Sequence, residues 1–89
     1  MISDYRKESE TLKALAHPMR LKMVEGLMNH ECSVDKIVKA LKMPQSTVSQ
    51  HLALLKSRGI VYLRKEGVRT CYRVVNPRVI KLMKLLGDK

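Results

Sequence analysis

Eighty-nine residues make one domain, 1–89, and a domain this small buries too little surface to be very stable alone, so pairing of two copies is expected. Eighteen Lys and Arg against eight Asp and Glu give a formal net charge of +10 and a pI near 10.0, which points to a polyanionic partner. No apolar run nears the roughly 18 residues that span a bilayer, and the polar start MISDYRKESE is unlike a signal peptide, so a cytoplasmic protein with reduced thiols at Cys32 and Cys71 is expected.

Residues 5–16 read as a helix with Leu12, Leu15 and Ala16 grouped toward its end. His17-Pro18 interrupts it, and Pro18 suits the first turn of a second helix, where no amide partner is lost. Met19, Met23, Val24 and Leu27 carry that helix to about Met28, with Gly26 weakening its last turn. Ser33 is a good N-cap for a third helix, whose Val34, Ile37, Val38 and Leu41 follow the i, i+3, i+4, i+7 spacing of one buried face. Pro44 then marks the start of a fourth helix over 45–57.

That fourth helix is the informative one. At about 100° per residue, Val48, Leu52 and Leu55 fall in a narrow arc, the side expected to be buried. Ser46, Thr47, Ser49 and Gln50 occupy the broad opposite side. A merely solvated face usually carries Glu and Lys; hydroxyls and an amide are groups that meet base edges and phosphates. Gly59 ends the helix at a C′-like position.

Two β-rich runs follow, Ile60–Lys65 and Val68–Val75, joined by Glu66-Gly67 as a hairpin. Side-chain alternation puts Arg69, Cys71 and Arg73 on one face of the second strand. Asn76-Pro77 breaks the strand before a last helix over 78–86, apolar nearly all round except at Lys81 and Lys84. So short a helix cannot bury every apolar side within its own domain, and a partner subunit is the simplest cover. The order is α-α-α-α-β-β-α, mainly α with a β-hairpin wing: two short helices with a tight turn, then a basic hairpin, make a winged helix-turn-helix.

Charge maps onto the same region. Residues 1–35 carry five basic and six acidic groups, residues 36–58 are net +5 and residues 59–78 net +4. The electropositive part is therefore the third and fourth helices and the hairpin.

Three runs carry a resemblance: Ala14-Leu15-Ala16-His17-Pro18-Met19-Arg20-Leu21, then Pro44-Gln45-Ser46-Thr47-Val48-Ser49-Gln50-His51-Leu52, then Arg64-Lys65-Glu66-Gly67 with Tyr72-Arg73 and Asn76-Pro77. They resemble the ArsR/SmtB family of bacterial repressors over about residues 10–86, most of all its metal-independent, PagR-type branch. The resemblance implies a homodimer formed by the first and last helices, an inverted-repeat double-stranded DNA operator, and repression relieved by a signal that the residues do not name. With the face and charge readings, it assigns Gln45, Ser46, Thr47, Ser49, Gln50 and His51 to the groove, Arg64, Lys65 and Arg69 to the wing, and Lys42 and Lys56 to phosphates. His51 has a second reading, a hydrogen bond at the core edge.

Many members of that family bind metals, and their ligand patterns are matched poorly. A Cys-x-Cys near the third helix is reduced here to Cys32 with Val34 in the second place, and 78–86 hold no His, Cys, Asp or Glu. His30, Glu31, Cys32 and Asp35 form a local cluster, read as a polar helix start rather than the roughly four ligands a zinc site needs. No metal or other cofactor is expected. Thiol-redox, or metal, control through Cys32 and/or Cys71 is the alternative to metal-independent repression, although the two are expected to lie apart in one chain and Cys71 reads as a small half-buried hydrophobe. No nucleophile–base pair, phosphate loop or paired acid set suggests an enzyme.

Overall fold

His17 and Pro18 break the N-terminal helical stretch cleanly. In the computed structural model, which describes residues 5–30 and 34–87, α1 runs Tyr5–Leu15 and α2 Pro18–Asn29. His17 is extended (φ −153°, ψ 123°) and acts as the N-cap of α2: its Nδ1 accepts the Met19 N–H at 3.1 Å, and Pro18 takes N1. Gly26 sits where α2 meets α3 (Val34–Leu41). A Cβ there would lie 3.2 Å from Ile37 Cδ1, so the glycine allows the close approach of the two helices. Val34, Ile37, Val38 and Leu41 of α3 are half-buried against the core, and none is fully buried. Ser33, the expected cap, lies outside the described residues.

The turn from α3 into α4 (Gln45–Ser57) bends at Lys42, whose φ of +54° is left-handed. Lys42 N–H bonds back to Val38 O at 3.1 Å, closing α3. Pro44, extended at φ −57° and ψ 142°, then offers its carbonyl to Thr47 and Val48 N–H. Val48, Leu52 and Leu55 face the core. The end of α4 is a Schellman motif: Gly59 (φ +72°) bonds back to Lys56 O and Ile60 to Leu55 O, both at 3.0 Å, with Leu55 and Ile60 buried together.

That motif launches β1 (Val61–Glu66), which pairs antiparallel with β2 (Arg69–Val74) in the register Val61↔Val74 through Glu66↔Arg69. The turn differs from the sequence expectation by one residue. Glu66 belongs to β1 and the loop is Gly67-Val68, with Gly67 at φ +60° and Val68 not in the left-handed region. A type II′ hairpin turn needs that sign at its first central residue alone, and glycine supplies it. Strict alternation also fails to describe β2. Cys71 and Val74, of opposite parity, are both buried, while Arg69 and Arg73, on the Cys71 face, are exposed.

Asn76 caps α5 (Pro77–Gly87) by accepting Arg78 and Val79 N–H on its Oδ1. Val79 and Met83 pack inward, whereas Leu85 is 71% and Leu86 55% exposed. On α1, Ala14 and Leu15 are buried and Leu12 is 55% exposed. Arg78 Nη1 joins Glu8 at 2.8 Å across the α1–α5 groove, whose floor includes Leu12, Leu15 and Leu82. The core, with Met23, Leu27, Leu55, Ile60 and Val79 at its centre, is aliphatic throughout. No helix among the described residues is long and apolar enough to cross a membrane.

Candidate nucleic-acid interface

The sequence of α4 decides which side chains are free to act. Its buried arc leaves Gln45, Ser46, Ser49 and Gln50 exposed and Thr47 half-buried. None is acidic, so the face offers donors and acceptors without repelling a polyanion. β2 returns beside this helix. Gln45 and Ser49 from α4, Arg69 and Thr70 from the wing, and Asp35 from α3 line one open polar groove. Val48, Leu52 and Tyr72 lie behind them. Helix and wing are thus brought together on one side of the molecule, a placement that chain order could not show. Thr70 lines that groove as well, and in the sequence only its strand position beside Arg69 marks it.

The cations are not equivalent. Arg69 and Lys65 are exposed on the wing, and Lys42 and Lys56 are exposed at the two ends of the α4 segment. Arg64 is already engaged: its Nη2 lies 3.1 Å from Glu66 Oε1, with both side chains partly exposed. Arg58 Nη2 is 3.1 Å from Glu10 Oε2, which ties the end of α4 to α1.

His51 stands apart from the other groove residues. It is half-buried, and its Nδ1 accepts a hydrogen bond from Arg20 Nε at 3.2 Å. Its ring centroid is 4.8 Å from that of His17. Burial, first, then the nearby charges of His17 and Arg20, hold its pKa below the ordinary 6.5. Nothing in the sequence around Arg20 marks its pairing with His51, 31 residues away, which belongs to the tertiary structure.

At Cys71 the structure corrects the expectation of a reduced, half-buried thiol. The side chain is fully buried, its sulfur is disulfide-bonded, and Sγ lies 3.6 Å from Glu66 Oε1. A disulfide needs its two Cα atoms within about 7 Å. Cys32, the other cysteine of the sequence, lies outside the described residues. Among the described residues no group of three or more His, Cys, Asp and Glu stands together as a metal site; Glu31, like Cys32, is outside them.

Comparison with known proteins places this geometry. Residues 17–62, from the cap of α2 to the start of β1, match the family described as "Bacterial regulatory protein, arsR family". The transcriptional repressor PagR of Bacillus anthracis is 48% identical over 82 residues, which cover 90% of this chain and 81% of that protein. Its crystal structure superposes with a TM-score of 0.82, at 40% identity over 93% of this chain and 95% of that one. HlyU from Vibrio cholerae superposes with a TM-score of 0.86, at 35% identity over 97% of this chain and 94% of that one. A homodimeric winged helix-turn-helix DNA-binding domain from Mycobacterium bovis gives 0.80, at 34% identity over 97% and 84%. With α1 to α4, the β1–β2 wing and α5 in the order these regulators share, the chain belongs to the ArsR family of DNA-binding transcriptional regulators, and is not an enzyme.

Proposed function

We propose that the protein is a cytoplasmic homodimeric repressor that binds an inverted-repeat operator through α4 and the wing, without a bound metal. The observation that carries this reading is the shared groove of Gln45 and Ser49 with Arg69 and Thr70, beside the exposed Ser46 and Gln50. In it α4 enters the major groove, where Gln45, Ser46, Thr47, Ser49 and Gln50 meet base edges and nearby phosphates. Lys42 and Lys56 hold flanking phosphates, and Arg64, Lys65 and Arg69 of the wing follow the backbone or the minor groove. Two copies joined through α1 and α5 present two reading helices, which is why the operator repeats. Repression, rather than activation, follows PagR; HlyU of Vibrio cholerae is a transcriptional activator.

The test compares a duplex enriched from a random-sequence pool by the wild-type protein with a scrambled duplex. Gln50→Ala is expected to lower affinity for the enriched duplex about 10-fold, with little change on the scrambled one, as loss of about 1–3 kcal/mol of base discrimination requires. Arg69→Ala should weaken both alike and make the log–log salt slope shallower by about 0.9 for the phosphate lost. Equal losses on both duplexes for Gln50→Ala would sink its role as a base reader. A reporter placed behind the enriched duplex separates repression from activation.

The disulfide-bonded Cys71 favours a second reading, control by thiol oxidation through Cys71 and/or Cys32. Two thiols would give up two electrons and two protons to a peroxide, forming the disulfide and releasing two waters from hydrogen peroxide, or one water and one alcohol from an organic hydroperoxide. Under this reading, operator affinity changes between dithiothreitol and peroxide, and Cys71→Ser abolishes the change. Equal affinities in both conditions would leave metal-independent, thiol-independent repression standing.

A further inference from the structure

One guanidinium ties three helices together behind the reading face. Arg20, in the first turn of α2, donates from Nε to His51 Nδ1 and from Nη1 to Ala14 O, each at 3.2 Å. Ala14 O is a last-turn carbonyl of α1 whose regular helical donor, four residues on, would be Pro18, which has no N–H. His51 follows Gln50 directly on α4. Its ring also meets that of His17, itself held by the Met19 N–H. The buried arc of Val48, Leu52 and Leu55 fixes which side of α4 faces inward, but aliphatic contacts are non-directional and tolerate some rotation. A hydrogen bond to a ring nitrogen tolerates much less.

We propose that Arg20 and His51 are positioning residues for DNA reading, their bond setting the rotation of α4 that aims Ser46, Ser49 and Gln50 at the bases. Arg20 has no lone pair to offer, so the bond forms only when His51 Nδ1 carries no proton. A protonated ring loses the bond and faces a like charge. The groups around this point are His17 and Arg20 from α2, Glu10 and Lys13 from α1, and Arg58 at the end of α4. Glu10 is engaged by Arg58 at 3.1 Å and by Lys13 at 4.0 Å. Acidification therefore releases the clamp. If His51 instead touched phosphate, acidification would add a cation to the interface and tighten binding, so the two roles have opposite signs.

This inference rests on α4 being the reading helix, and the Gln50→Ala comparison tests that premise separately. The experiment measures anisotropy of the enriched and scrambled duplexes at fixed salt between pH 8 and 5.5. The wild-type preference for the enriched duplex should fall about 10-fold toward pH 5.5. His51→Ala should show the low preference at every pH. His51→Asn, whose Oδ1 can accept where Nδ1 does, should recover most of the preference at pH 7.5 and hold it at pH 5.5. Arg20→Met should behave like His51→Ala, with its thermal melt confirming a folded chain. The inference is overturned if His51→Ala keeps the wild-type preference, if His51→Asn loses selectivity in acid as wild type does, or if wild-type affinity for the enriched duplex rises in acid and His51→Asn abolishes the rise. Should Gln50→Ala leave the preference unchanged, the reading role of α4 fails instead.

Discussion

Single side chains set the electrostatics of this surface. His51 takes a proton less readily in the fold than in the unfolded chain, because burial and then the charges of His17 and Arg20 lower its pKa from 6.5. Between the lowered value and 6.5 the unfolded state binds more protons, so stability contributed by neutral His51 is present above 6.5 and is lost as pH falls through that window. Urea unfolding should show a midpoint that drops on acidification from pH 7 toward 5, more steeply in wild type than in His51→Asn; parallel slopes would refute the assignment to His51. Glu66 acts on the wing in the opposite sense. It holds Arg64 at 3.1 Å and places a negative charge where a phosphate would approach. Glu66→Gln should therefore tighten binding to enriched and scrambled duplexes alike, by about 3-fold at low salt and less at high salt as screening shortens the reach of the charge. A loss of affinity would mean that the carboxylate is needed to hold Arg64 in place. These partly exposed ion pairs are worth at most about 1 kcal/mol to folding, so the effect belongs to binding.

At the scale of elements, short helices are held by their junctions. The His17 cap, the left-handed Lys42, the Schellman end at Gly59 and Ile60, and the Asn76 cap each satisfy backbone groups that a helix end leaves open. All four breaks were readable in the sequence from Pro18, Pro44, Gly59 and Pro77. The left-handed backbone at Lys42 was not, since lysine gives no hint of positive φ, and neither was the choice of histidine as a cap. The α2–α3 contact is the most sensitive packing point. With Ile37 Cδ1 and Cγ1 already 3.2 and 3.3 Å from where a Cβ would stand, Gly26→Val must push Ile37 aside or shift α3. It is expected to cost about 1–3 kcal/mol, read as a lower urea midpoint, and to weaken DNA binding because α3 leads into α4. An unchanged midpoint would show that Ile37 can swing away. The hairpin shows a different limit of sequence reading. Composition identified two strands and a Gly-containing turn, but the one-residue shift to Gly67-Val68 depends on which residue takes positive φ.

At the scale of the whole molecule, exposed apolar area supports the proposed pairing with a second copy. Leu12 on α1 and Leu85 and Leu86 on α5 leave apolar area in water, on the two helices that pack across the Arg78–Glu8 pair. Burying such area contributes about 25 cal/mol per Å². Leu86→Glu combined with Leu12→Glu should convert a dimer to monomer in sedimentation velocity and lower operator affinity at least 10-fold, since a monomer engages one half-site. A double variant that sediments as wild type would move the interface elsewhere. The +10 charge acts at this scale too, drawing the protein to any duplex before sequence is read.

By itself the sequence determined the order of elements, the buried arc and free polar face of α4, the basic stretch from the third helix through the wing, and the family. All of these are local: periodicity, capping residues and charge lie within one element or a short run. Only the tertiary structure decided that the wing lies beside α4 in one groove, that Cys71 is disulfide-bonded, that Glu66 compensates Arg64, and that Arg20 reaches His51. Those facts rest on distance between residues far apart in the chain or on rotamers along one strand, and neither quantity is carried by residue type and spacing alone.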